Sequence, residues 1–166
     1  MARRILLASP LDPTAIATKL KDVLGDRTTK PVKGVTGNGS EQDVTLFYYR
    51  PNIQNSFQTR LIATMEPDGT GTRIEGKMGP PGSATAFLGC WFGFLTLFLL
   101  VGGGGILASD ASIGDAILFI AIPGAMMGFG VLLWRLGTWT AKADEAAILA
   151  FLATTIAARP AAGEGS

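Results

Sequence analysis

Apolar residues near the N-terminus recur at the spacing of one helix face. Asp12 and Pro13 are a typical helix start, with the aspartate as cap and the proline at the first helical position. The apolar positions that follow, up to a stop at Gly25, are Ile16, Leu20, Val23 and Leu24. This pattern predicts a short amphipathic helix.

Further along the chain the apolar residues alternate with polar ones, which is the pattern of a β-strand. Alternation is present over 44–49 and 57–65 and is most regular over 71–78, where Arg73, Glu75 and Lys77 share one side. The intervening segment 66–71, EPDGTG, has turn residues, so the last two strands are predicted to form a hairpin. The glycine-rich segment 32–40 predicts a weaker strand.

Two apolar stretches, free of charge except for Arg135, are long enough to cross a bilayer. They run from Ala84 to Leu107 and from Ala116 to Leu136, with Arg135 near the end of the second. About 20 apolar residues in a helix span the roughly 30 Å hydrocarbon core. The alternative is a pair of buried core helices, but a chain of 166 residues is too short to enclose them. We therefore expect a transmembrane hairpin.

The last apolar segment, Ala146–Ala158, is too short for a third crossing. Asp144 and Glu145 before it are typical of a helix start, and Arg159-Pro160 is expected to end the helix. Its apolar side either covers the sheet or lies in the membrane surface. In the first case the inward residues are expected to be Leu149, Leu152 and Ile156.

Together these patterns predict an α+β membrane protein, with a small antiparallel sheet, flanking helices and an inserted transmembrane helical hairpin. Residues 1–82 are expected to form a cytoplasmic helix and antiparallel strands. Residues 83–139 form the hairpin, with its outer loop near 108–115. Residues 140–166 are expected to return as a cytoplasmic helix that joins the N-terminal domain and then frays.

The distribution of charge predicts the orientation of the hairpin. Only Arg135, Lys142 and Arg159 of the 14 Lys and Arg residues lie after Lys77, and the segment between the two spans contains Asp110 and Asp115 but no basic residue. The positive-inside rule therefore places both termini in the cytoplasm. The apolar run Ile5–Ala8 is too short for a signal peptide.

Glycines in the two spans suggest how the helices pack. The pairs Gly89/Gly93 and Gly124/Gly128 each have the G-x-x-x-G spacing, which lets another backbone approach, so the two helices are expected to pack there. The alternative is that glycine is simply common in membrane helices. The run 102–105 lacks the strand, lysine and acidic partner of a phosphate loop, which favours the outer end of the first span.

Catalytic chemistry has few candidate residues. The chain contains no histidine, and its one cysteine, Cys90, lies within the first span, where a packing role is expected. Asp12 is expected to be a cap, Glu66 and Asp68 turn residues, and Glu75 an exposed strand residue. We expect no enzymatic activity, no cofactor, no metal and no nucleic-acid partner. Residues 47–52, FYYRPN, fit either aromatic stacking on a ligand ring or a strand end followed by a turn.

The stretch SFQTRLIATMEPDGTGTRIEG, followed by two spans and an apolar helix, loosely resembles small uncharacterised bacterial inner-membrane proteins. That resemblance implies an inner-membrane location and supplies no activity. Three function classes follow. The first is a non-enzymatic membrane protein that binds a partner protein or a second copy, in addition to the lipid bilayer. The others are a lipid or amphiphile carrier of the helix-grip type and an enzyme. The first is preferred, as an accessory subunit of a larger membrane complex.

Overall fold

The computed structural model describes residues 2–25, 33–51, 56–108 and 112–161. Within these ranges the chain forms an α+β structure of four helices and six strands. In chain order the elements are β1 (Arg3–Ser9), α1 (Pro13–Leu24), β2 (Gly34–Gly39), β3 (Asp43–Tyr49), β4 (Arg60–Asp68), β5 (Gly71–Gly79), α2 (Gly82–Leu107), α3 (Ile113–Thr138), α4 (Ala141–Ile156) and β6 (Arg159–Pro160).

The strands form one antiparallel sheet in the order β2-β3-β4-β5-β1-β6. The first strand therefore lies between the last two, and this strand was missed in the sequence. Residues 5–8 are all apolar, so the sequence shows no alternation there, although burial in the strand does alternate: Ile5 and Leu7 are buried and Leu6 between them is half-buried. The predicted strands at 44–49 and 71–78 are confirmed, and the weaker strand predicted over 32–40 is confirmed as β2, Gly34–Gly39, with Val32 outside the described residues.

One face of the sheet is covered by α1 and α4. Their buried residues and the inward residues of the strands form a single core of Ile5, Leu7, Ile16, Leu20, Val44, Leu46, Leu61, Ala63, Met65, Ile74, Met78, Ile148, Leu152, Ile156 and Ala158. The last helix thus packs on the sheet, which decides between the two alternatives left open by its sequence. The domain is completed by a helix that follows the apolar hairpin in the chain.

The predicted inward stripe of α4 is partly wrong. Leu152 and Ile156 are buried as expected, but the third member is Ile148, which is fully buried, and Leu149 only packs against the edge of the core. The buried positions are spaced four apart, 148, 152 and 156, because rows of that spacing run along one side of a helix.

The ends of α1 and α4 have clear physical causes. The carboxylate of Asp12 accepts a hydrogen bond from the Ala15 N–H at 2.8 Å, which confirms its predicted capping role. The last helix ends at Ala157, which has a left-handed backbone, and Arg159 and Pro160 then pair with β1. The predicted fraying of the tail falls largely on residues 162–166, which lie outside the described residues.

The hairpin of β4 and β5 is confirmed, but its turn is shorter than the sequence suggested. Strand pairing continues to Asp68 and Gly71, so Glu66 and Asp68 are strand residues and the assignment of both to a turn was wrong. At the other end, β4 begins at Arg60 rather than at Phe57. The strands come unusually close at Gly76, where a Cβ would lie 2.4 Å from the Ala63 Cβ, so only glycine fits.

The two long helices, α2 and α3, each have 26 residues, and both are long and apolar enough to cross a membrane. Only 11% of the most apolar window of either candidate span is buried within the chain, unlike the core helices of a soluble protein. The chain divides into two compact units. One comprises residues 1–81 and 138–166, hereafter the sheet domain, and the other residues 82–137, hereafter the hairpin.

Candidate functional site

The glycines predicted to join the two long helices do not do so. A Cβ on any of the four residues of the G-x-x-x-G pairs, Gly89, Gly93, Gly124 and Gly128, would have no neighbour within 4 Å. That prediction is therefore corrected for contacts within this chain. A repeat of four places the two glycines of a pair on one helix face, but it does not specify which face meets the other helix.

Aromatic rings mediate the contact between the helices instead. A Cβ on Gly102 would lie 2.2 Å from the ring of Phe119, and one on Gly130 would lie 3.1 Å from Phe92. Phe119 also stacks on Phe98, with 4.9 Å between the ring centroids. The glycine run at 102–105 is helical, and its first member makes room for a ring across the hairpin.

The most buried charged group among the described residues of the sheet domain is Asp144 on α4. Its side chain is only 2% exposed, and both carboxylate oxygens accept hydrogen bonds from the guanidinium of Arg50, which directly follows β3. The Nη1 donor is 3.0 Å from Oδ2, and the second bond joins Nη2 to Oδ1. This bidentate ion pair fixes the start of α4 against the end of β3.

Other side chains complete the cluster around Arg50. The Thr140 hydroxyl, just before α4, donates to Asp144 at 3.1 Å and accepts from Arg50 at 3.3 Å. The guanidinium carbon lies 4.7 Å from the centroid of the Tyr48 ring, a cation–π arrangement. The hydrogen bond to Asp144 raises the pKa of Arg50 above its ordinary value, so this group stays cationic at every physiological pH.

A second ion pair connects the same helix to the N-terminal strand. Glu145 accepts a hydrogen bond from Nη1 of Arg3 at 3.3 Å, and the side chains are 27% and 62% exposed respectively. Neighbouring acidic residues on α4 thus bind arginines from two different strand ends. The sequence suggested only that these acids begin the helix, whereas the helix begins earlier, at Ala141.

The face of the sheet opposite the helices carries mixed charged and apolar side chains. Ile62 is 60% exposed there and lies in a shallow depression of about 640 Å³ bordered by Arg4, Thr64, Glu75 and Lys77. Arg4 donates a hydrogen bond to Glu75 and lowers the pKa of that carboxyl below its usual value. Glu75 thus lies on the outer side of β5, as predicted.

The candidate catalytic residues remain dispersed. Among the described residues, no three Cys, Asp or Glu side chains come together as a metal-binding group. Cys90 is exposed on α2, so its predicted packing role is wrong for this chain by itself. The FYYRPN segment ends β3 and enters a turn at Pro51, while Asn52 lies outside the described residues.

Arg50 and Asp144 are the two residues whose roles the sequence analysis missed. A usable signal was present, because Asp144 lies four residues before Ile148 and so begins the row of buried positions 148, 152 and 156. A carboxylate on a buried helix stripe requires a cationic or hydrogen-bonding partner. The sequence does not identify Arg50 as that partner, since 93 other residues lie between Arg50 and Asp144.

Comparison with known proteins adds no identification. No protein-family model matches this chain, and neither a curated protein nor a solved structure matches it.

Proposed function

We propose that this chain is a non-enzymatic bacterial inner-membrane protein that crosses the bilayer twice, with both termini in the cytoplasm. In this proposal the sheet domain binds a protein partner, and the chain is an accessory subunit of a larger membrane complex. The observation that carries the membrane assignment is the exposure of large apolar side chains along α2 and α3. Examples are Phe87, Phe94, Leu100, Ile117 and Phe129, each at least 59% exposed.

Soluble monomers rarely expose large contiguous apolar patches, so such a surface favours a bilayer environment. A helix of 26 residues is about 39 Å long, which exceeds the roughly 30 Å hydrocarbon core. Arg73 and Lys77 before the first span and Arg135 and Lys142 at the end of the second support the cytoplasmic orientation.

Partner binding is favoured over the carriage of a lipid. A carrier of the helix-grip type holds its ligand between the sheet and the last helix. Here Ile148, Leu152 and Ile156 of that helix, each no more than 1% exposed, pack into the core at this place. The exposed Ile62 lies on the opposite face of the sheet, where an apolar side chain surrounded by charges is typical of a protein contact.

The orientation is tested by fusing a reporter that is active only in the periplasm. We expect activity when the reporter follows Ser112, between the two spans, and no activity when it follows Ser166. The expectation follows from the acidic connection and the basic flanks. The reverse pattern would refute the orientation, and inactivity at both positions would refute the membrane crossing.

Partner binding is tested by affinity capture of the full chain from bacterial membranes in mild detergent, followed by mass spectrometry. We expect a stoichiometric protein partner that is lost from the Ile62→Asp variant, because the new charge replaces an exposed apolar contact. Thr18→Asp, on the exposed side of α1, is the matched control and should retain the partner. Equal capture by Ile62→Asp and the parent would exclude this face, and recovery of a second copy alone would indicate a homo-oligomer.

A further inference from the structure

One end of the sheet has an excess of positive charge. Its three terminal rows, in register, contain residues 3–4 of β1, 77–79 of β5, 60–62 of β4 and 45–47 of β3. The cations in these rows are Arg3, Arg4, Arg60 and Lys77, hereafter the basic end, and the described residues of the same rows include no Asp or Glu.

Among the described residues, two acidic side chains from neighbouring positions pair with arginines of the basic end. Glu145 of α4 pairs with Arg3, and Glu75 pairs with Arg4. Arg60 and Lys77 are exposed, and Lys142 in the first turn of α4 adds another exposed cation. The opposite end of the sheet contains Asp43, Glu66 and Asp68 together with Arg73 and Arg159, so its charges are more balanced.

The chain connects the basic end closely to the apolar hairpin. Strand β5 ends at Gly79 and α2 begins at Gly82, and these three Cα–Cα steps extend over at most about 11 Å. The segment that connects α3 to α4 returns to the same end of the sheet, because the ion pair between Arg3 and Glu145 holds the first turns of α4 there. If the hairpin crosses a bilayer, the headgroups beside it are therefore within reach of these cations.

We infer that the basic end of the sheet docks on anionic phospholipid headgroups beside the hairpin. This inference rests on the proposed membrane location. Charges act on a lipid surface only within about a Debye length, roughly 8 Å at physiological salt, so the near end of the sheet dominates the attraction. The docking would hold the sheet domain in one orientation relative to the bilayer.

The test uses the full chain with Cys90→Ser, reconstituted in nanodiscs of phosphatidylcholine with or without phosphatidylglycerol. A fluorophore is attached at Ala2→Cys, beside Gly79 at the basic end, and the quencher is a nitroxide on phosphatidylcholine headgroups. We expect stronger quenching in the anionic discs and loss of that increase in high salt. The same fluorophore at Thr70→Cys, in the turn at the far end, should show no increase.

Charge reversal at the two ends provides the matched comparison. Arg60→Glu with Lys77→Glu should abolish the increase, since each surface cation shifts the docked-to-undocked ratio by about fivefold. Arg73→Glu with Arg159→Glu, an equal change of charge at the far end, should preserve it. Resistance to proteinase K verifies that both double variants are folded; if the first is not, Arg60→Gln with Lys77→Gln replaces it.

The possible failures are distinguishable. Equal quenching in neutral and anionic discs would overturn the docking and leave the membrane assignment standing. The same conclusion would follow if both double variants lost the quenching increase to an equal extent. A chain that elutes free of the discs would refute the membrane assignment itself, and with it the docking.

Discussion

Replacing Leu152 with aspartate should unfold most of the sheet domain. Leu152 lies on α4, and its side chain is fully buried in the core that α4 forms with the sheet. The substitution therefore removes an apolar side chain and places a carboxylate in the core. We expect a loss of about 4 kcal/mol or more in the free energy of unfolding, which is a large part of the stability of an ordinary domain. Proteinase K should then cleave the full chain in membranes much faster than the parent.

The adjacent substitution Ala153→Asp is the control. Ala153 lies on the exposed side of the same helix, so the same new charge should leave the protease resistance nearly unchanged. If Leu152→Asp were as resistant as the parent, the packing of α4 on the sheet would be wrong.

Removing Arg50 should have the second largest effect. The Arg50→Ala variant leaves Asp144 with a buried carboxylate that has lost its cationic partner, and we expect a cost of about 3 kcal/mol. The midpoint of thermal unfolding of the full chain in mild detergent should fall clearly. Because Arg50 itself is 23% exposed, water reaches part of the site and the cost should lie at the lower end of values for buried pairs.

Two further variants separate the buried pair from charge in general. Glu145→Ala breaks the exposed pair with Arg3, next to Asp144 in the chain, and should cost no more than about 1 kcal/mol. Arg50→Met combined with Asp144→Leu removes both charges and should recover most of the lost stability. Similar losses in Arg50→Ala and Glu145→Ala would contradict the special role of the buried pair.

Local patterns predicted most of the secondary structure. Asp12-Pro13 marks a helix start through its own chemistry, and the alternation over 71–78 shows which side of the strand is buried. Both signals depend on neighbouring residues only. The strand β1 was harder to predict, because its place between β5 and β6 depends on residues that lie about 70 and 150 positions away.

The candidate sites were predicted less well for the same reason. The G-x-x-x-G pairs identify a face that allows close packing, but the contact at Gly102 depends on where the ring of Phe119 falls across the hairpin. The pairing of Arg50 with Asp144 likewise depends on how α4 crosses the sheet. The spacing of residues in the sequence shows neither the position of that ring nor the crossing of α4 over the sheet. The buried row of α4 shows at least that Asp144 needed a partner.

The position of the hairpin between β5 and α4 has a consequence for synthesis on the ribosome. The five strands β1–β5 and α1 are complete when Gly79 has been added, but the helix that covers their remaining apolar face begins only at Ala141. Until the hairpin and α4 have been translated, the buried residues of β3 and β5, strands that α4 contacts, lack that part of their cover. Final closure of the core therefore comes after both apolar helices have been made, and a nascent chain halted within them has an incomplete domain.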